Sequence, residues 1–134
     1  MPYIHIDCER LPPAEAKRDL ALALGHRYAR EMQIDARIVN IAFRELGAGN
    51  IVRLDGIDET PQPITIVNCD VRRGRTSDQR TALGHALATE CARALGTTEA
   101  RVIVYITEHD ASEIYRDGGA APPWTSGAAV PVEP

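Results

Sequence analysis

The chain has 134 residues, 44% of them hydrophobic and 25% charged. That composition allows one domain burying roughly two-thirds of its exposable surface and excludes a disordered or collagen-like chain. Fifteen Lys and Arg against nineteen Asp and Glu leave a net charge of -4. The chain therefore lacks the overall positive field on which nucleic-acid binding depends, and no apolar run reaches the ~20 residues of a membrane span.

In chain order, Tyr3 to Cys8 alternates apolar and polar residues, the pattern of a half-buried strand. Pro12-Pro13 interrupts it, and Lys17 to Met32 has helical composition, with Leu20, Leu24 and Tyr28 recurring every four residues beside Ala23. Such a stripe needs an apolar partner. A strand is expected over Ile38 to Arg44. Gly47 to Asn50 reads as a turn, Ile51 to Leu54 as a short hairpin piece, and Asp55-Gly56 as a second turn signal.

Pro61-Gln62-Pro63 closes the first half, and the order then repeats. Ile64 to Val71 reads as a strand, Thr76 to Leu95 as a helix ending at Gly96, and Val102 to Thr107 as a last strand. Thr76 and Gln79 have the spacing of a capping box, and Leu83, Leu87, Cys91 and Leu95 form the second helical stripe.

The expected fold class is α+β: two consecutive β-α-β units, 2–60 and 63–117, forming one two-layer domain with a mixed four-stranded sheet. Residues 118–134 are rich in Gly, Ala and Pro with one tryptophan, Trp124. They read as a C-terminal tail, preferably a partly ordered lid.

Cys8, Cys69 and Cys91 are odd in number and lack metal-ligand spacing, and no signal-like leader precedes Pro2. A cytoplasmic protein with free, buried thiols is expected. His5, His85 and His109 are scattered, with no Ser-His-Asp order and no glycine-rich phosphate loop. Neither a metal nor a cofactor is expected.

Two features carry chemistry. Pro2 follows Met1 directly, so loss of the initiator methionine would expose a secondary amine. An α-amino group titrates near roughly 7.7–8.0, and neighbouring arginines and burial would lower that value. Arg72-Arg73-Gly74-Arg75 lies where a strand ends and a helix begins. Free N–H groups and the helix dipole favour anions there, and guanidinium forks grip carboxylates with two parallel bonds.

Met1-Pro2 opening a strand, two strand-helix-strand units, Arg72 and Arg75 flanking Gly74 before Thr76, and Val104-Tyr105 on the last strand together resemble the tautomerase superfamily. Within it the sequence is most similar to the cis-3-chloroacrylic acid dehalogenase group, whose turn after the second strand Phe43 to Asn50 also resembles. The resemblance covers roughly residues 2 to 118. It implies a catalytic Pro2, Arg72 and Arg75 binding a substrate carboxylate, Tyr105 acting near the end of the last strand, sometimes across a subunit boundary, and a homotrimer. Near-continuous apolar strands agree with sheets that would expose large apolar faces unless assembled.

Two departures from that group bear on the reaction. Its helix-one histidine, a carboxylate ligand, falls on Tyr28 by helical phase, with His26 as the second candidate. Two residues are about 200° apart on a helix, so only one of them can face a pocket. Its water-activating glutamate follows the strand tyrosine by eleven residues, and here that position is Arg116. Arginine cannot act as that base. Glu113 and Asp117 are near, and Arg116 is an auxiliary cation or a solvated loop residue.

The expected activity is cofactor-independent enol–keto tautomerisation of a 2-hydroxy-2-enoate or arylenolpyruvate. The alternatives are a cis-3-haloacrylate dehalogenase or hydratase and a catalytically silent trimeric binding protein of the same fold.

Overall fold

The computed structural model describes residues 2–125. Met1 and residues 126–134, and with them the expected methionine removal and the end of the expected tail, lie outside the described residues. The elements run β1 (Tyr3–Cys8), α1 (Ala14–Met32), β2 (Asn40–Glu45), β3 (Val52–Asp55), β4 (Thr60–Pro63), β5 (Thr65–Arg72), α2 (Ser77–Leu95), β6 (Val102–His109), β7 (Tyr115–Arg116) and β8 (Gly119–Ala120).

Four strands make a mixed sheet in the order β2-β1-β5-β6. β1 and β2 are parallel, β5 and β6 are parallel, and β1 meets β5 antiparallel. Each parallel pair is joined through a helix, which gives the two β-α-β units anticipated from the sequence. The antiparallel central pair brings the start of β1 to the end of β5. That single relation positions the site.

Both helices pack on one face of the sheet. Leu20, Leu24, Tyr28 and Met32 of α1 and Leu83, Leu87 and Cys91 of α2 are at most 2% exposed, and they meet Ile4, Ile6, Val67, Cys69 and Val71 of the central strands. Burying each large side chain contributes about 1.5–3 kcal/mol, so this seam fixes the layers. Gly96 ends α2 in the left-handed region, as a C-terminal glycine does.

Local differences from the sequence reading have local causes. α1 begins at Ala14, earlier than Lys17, because Pro13 takes the N-cap and its carbonyl accepts from Lys17 N. Ala36–Ile38 forms a single 3-10 turn capped by Asp35, which delays β2 to Asn40. Pro61 and Pro63 lie within β4, paired with Leu54 and Val52. A two-stranded ribbon leaves each strand one unpaired edge, where a missing N–H is tolerated. Asp117 and Gly118, both with positive φ, form the turn between β7 and β8.

The open face of the sheet is mixed: Tyr3, Ala42, Ile66, Ile103 and Tyr105 share it with His5, Asp7, Arg44, Asn68, Asp70 and Thr107. Asp7 is gripped by Arg44 at 2.9 and 3.1 Å and lies 3.0 Å from His5. Alternation puts the apolar runs of these strands under the helices and their polar members on the open side.

Candidate active site

The site lies where β5 ends, α2 begins, α1 ends and residues 121–125 return across the domain. Arg75 is 5% exposed. Its Nη1 donates to the Arg72 carbonyl at 3.0 Å and its Nη2 to the Met32 carbonyl at 2.8 Å, which ties the guanidinium to the end of α1. Its buried Nε has no hydrogen-bond partner. Burial lowers its pKa to about 10, and among the described residues no carboxylate pairs with it to offset the cost of holding a cation there.

Arg72 is half-buried, and its Nη1 donates to the Pro122 carbonyl at 2.5 Å. Burial first, and then the charge of Arg116, disfavour its protonated form. Among the described residues neither Arg72 nor Arg75 has a carboxylate within ion-pair distance. Arg73 has the opposite environment: exposed, it pairs with Asp110 at 2.7 Å. The sequence run Arg72-Arg73-Gly74-Arg75 thus separates into two inward cations and one outward ion pair. Gly74, at φ +132°, makes the bend that turns them.

Pro2 is buried, and its carbonyl accepts from Asn40 N at 2.9 Å and from Asn40 Nδ2 at 3.3 Å. Tyr3 pairs with Asp70 across the β1–β5 ladder, so Pro2 comes level with Val71, one residue from Arg72. Alternation points Pro2 to the same face as Ile4 and Ile6, the helix side.

Tyr28 lies inside, 1% exposed, and its hydroxyl donates to the Asp70 carbonyl at 2.7 Å. Burial pushes the phenol far above its usual range, against the opposing charges of Arg75 and Arg72. It is a neutral donor whose one proton is already committed to the backbone of β5. His26, two residues earlier, is exposed.

The start of α2 offers less to an anion than the sequence suggested. Thr76 Oγ1 accepts from Gln79 N and Gln79 Oε1 accepts from Thr76 N, so the capping box consumes two amides. Anion affinity at this end falls to the guanidinium groups.

Tyr105 is not part of this cluster within one chain. It lies mid-β6 opposite Asn68 on the open face, 56% exposed, four residues before the position paired with Arg72. Arg116 sits on β7 near enough for its charge to act on Arg72, with Asp117 Oδ2 at 3.5 Å.

A cavity of about 470 Å³ opens at the same end of the sheet, lined by Tyr3, Asn40, Asp70, Val71, His109, Glu113 and Ile114. Sequence reasoning passed over Asp70, His109 and Asn40 as site residues. Their only signal was adjacency to Arg72 or to Pro2 across the sheet, which needs the strand register. Among the described residues no group of three His, Cys, Asp or Glu could hold a metal ion. No helix there is long and apolar enough to cross a membrane.

Neither protein-family models nor curated proteins match the sequence. Solved structures do. A member of the cis-3-chloroacrylic acid dehalogenase family, N1, superposes with TM-score 0.78 at 21% identity, over 90% of this chain and 84% of that one. Pt0534 inactivated by 2-oxo-3-pentynoate gives 0.76 at 23% identity, over 89% and 94%. Macrophage migration inhibitory factor of Toxoplasma gondii gives 0.73 at 17% identity, over 86% and 96%. With its paired β-α-β units on a mixed four-stranded sheet, this chain has the tautomerase-superfamily fold.

Proposed function

We propose that the protein is a cofactor-independent enol–keto tautomerase of small 2-hydroxy-2-enoate or arylenolpyruvate acids. The observation that carries this reading is the pair of inward cations, Arg72 and Arg75, without a carboxylate partner among the described residues, at the end of the strand beside Pro2. Two cations held only by neutral acceptors are stabilised by an anionic ligand.

Removal of Met1 leaves Pro2 as a secondary amine. Its nitrogen takes the proton of the substrate hydroxyl as the C–O bond becomes a carbonyl, and the electron pair of the C=C bond accepts that proton at carbon. Proton count is unchanged and no oxidant or reductant is needed. Arg72 and Arg75 hold the carboxylate and stabilise the enolate charge that develops between the two transfers. Arg116 adds positive charge from β7. Tyr28 holds the end of β5 through Asp70, and His26 stands outside the pocket on the exposed side of α1.

The working unit is a homotrimer in which Tyr105 of one chain completes the site of another. Two observations support this: structures of fused 4-OT, one an asymmetric and one a symmetric trimer, superpose with TM-score 0.76, and Tyr105 is exposed on the open face.

A second reading is water addition to a cis-3-haloacrylate, favoured by Glu113 in the cavity at the same end. It needs a protonated Pro2 and a carboxylate base on water, and the position of the dehalogenase glutamate is Arg116. Phenylenolpyruvate decay followed by absorbance tests the tautomerase: the wild type accelerates it and Pro2→Ala lowers kcat/KM by about 100-fold or more. Equal acceleration by the two proteins refutes Pro2 as the base, and no acceleration by the wild type leaves a silent binding protein. Intact mass establishes whether Met1 is gone, and an ionisation near or below pH 7 in kcat/KM marks Pro2 as base, whereas one well above 8 marks the acid of the hydratase reading.

A further inference from the structure

The arginines of the site already have a ligand, supplied by the chain itself. Residues 121–125 cross over them: the Pro122 carbonyl accepts from Arg72 at 2.5 Å, and the Trp124 ring centroid lies 4.0 Å from the Arg75 guanidinium carbon. The segment is anchored by Ala121 N donating to the Ile114 carbonyl at 2.8 Å and by Trp124 Nε1 donating to the Gln33 carbonyl at 3.5 Å.

The local sequence suits this placement. Pro122 and Pro123 have no N–H, so this stretch presents the guanidinium groups with acceptors and an aromatic face. Prolines also stiffen the segment before it docks, which reduces the entropy lost on closing. Gly74 leaves the room: a Cβ there would stand 3.1 Å from Trp124 Cε3.

We infer that residues 121–125 are a built-in competitor of the acid, a neutral strap that a substrate carboxylate must displace from Arg72 and Arg75. The inference rests on the carboxylate-binding role proposed above for those two arginines. A carbonyl offers a guanidinium one hydrogen bond and no opposing charge, whereas a carboxylate offers two parallel bonds and an ion pair. The difference favours the acid over the strap. The uncharged analogue of the same acid gains no such advantage and leaves the strap closed. Apparent affinity is reduced by the closed fraction, so the strap selects for anionic ligands strong enough to open it.

The chain has one tryptophan, so its fluorescence reports the strap alone. Crotonate serves as the probe carboxylate and crotonamide at equal ionic strength as its uncharged control. Acrylamide quenching of Trp124 in the full chain is expected to rise saturably with crotonate and not with crotonamide. By calorimetry, Trp124→Ala should bind crotonate about three- to thirty-fold more tightly than the wild type, the range a lost cation–π contact allows. Trp124→Leu, which keeps apolar bulk, should shift the same way.

Weaker or unchanged crotonate binding in both variants overturns the strap, as does quenching that falls on binding, which would mean that Trp124 closes over the acid. Absence of crotonate binding in every form overturns the strap together with the carboxylate site. These readouts involve no turnover, so a failure of Pro2 as base leaves them unaltered and the two ideas are judged separately.

Discussion

Tyr28 and Arg75 illustrate how position within the packing sets what a side chain can do. Tyr28 was legible as an inward residue from helical phase, yet its hydroxyl proton is spent on the Asp70 carbonyl. That bond ties α1 to the end of β5, which in the proposed mechanism makes Tyr28 a positioning residue. Tyr28→Phe removes the hydrogen bond to the Asp70 carbonyl and should cost about 0.5–1.5 kcal/mol of stability by urea denaturation. KM for the enol acid should change less than about threefold, since Arg75 keeps its acceptors at Arg72 O and Met32 O and Arg72 keeps its own at Pro122 O. A KM rise of tenfold or more would instead make Tyr28 a direct carboxylate ligand.

Arg75 is inward for a different reason. Gly74 reverses the chain, and the end of α1 supplies the Met32 carbonyl that receives its guanidinium. The Met32 carbonyl lies 43 residues away in the sequence. The arginine cluster was visible as composition, while the separation of Arg73 to Asp110 on the outside emerged from the fold.

Between elements, the helix–sheet seam carries the thiols. Cys69 on β5 and Cys91 on α2 are at most 1% exposed, and burial pushes both thiols up to about 12 from an ordinary value near 9. The folded state therefore holds these protons more tightly than the unfolded chain does. Their contribution is fully present below pH 9 and is lost as pH rises toward 12. Thermal unfolding midpoints should fall across that window, and a Cys69→Val, Cys91→Ala double variant should flatten the decline. An unchanged slope in the variant would assign the alkaline loss to other groups. In the native protein neither thiol should react with a thiol reagent at neutral pH.

The elements themselves follow from short-range signals: the alternation of β1 and β5, the four-residue stripes of α1 and α2, and the Thr76/Gln79 box. Their boundaries followed features that periodicity does not contain, such as the Asp35 cap that delays β2. The β7–β8 hairpin rests on Asp117-Gly118, a turn signal with only two residues on either side to pair, too few for an alternation to register.

At the scale of the whole molecule, Arg72 and Arg75 lie on a different part of the chain from Tyr105, and in the proposed trimer each site draws on two chains. Complementation tests this directly. Pro2→Ala and Tyr105→Phe chains, each inactive or nearly so alone, should regain phenylenolpyruvate tautomerisation when unfolded together and refolded as hybrids. Mixing without subunit exchange should restore nothing. Sedimentation of each parent should give three chains per particle. Recovery failing in hybrids that do form trimers would place Tyr105 outside the shared site.

Local pattern by itself determined that this chain makes two β-α-β units, where its second helix starts, and which residue types could bind an acid and shuttle a proton, because propensity, capping and periodicity act over a few residues. The tertiary structure decided which of those residues meet. Antiparallel pairing of β1 with β5 brings Pro2 level with the arginines, the end of α1 orients Arg75, and the returning segment at Trp124 covers it. These contacts join positions tens of residues apart, and their geometry is set by the packing of whole layers, which no short window of sequence encodes.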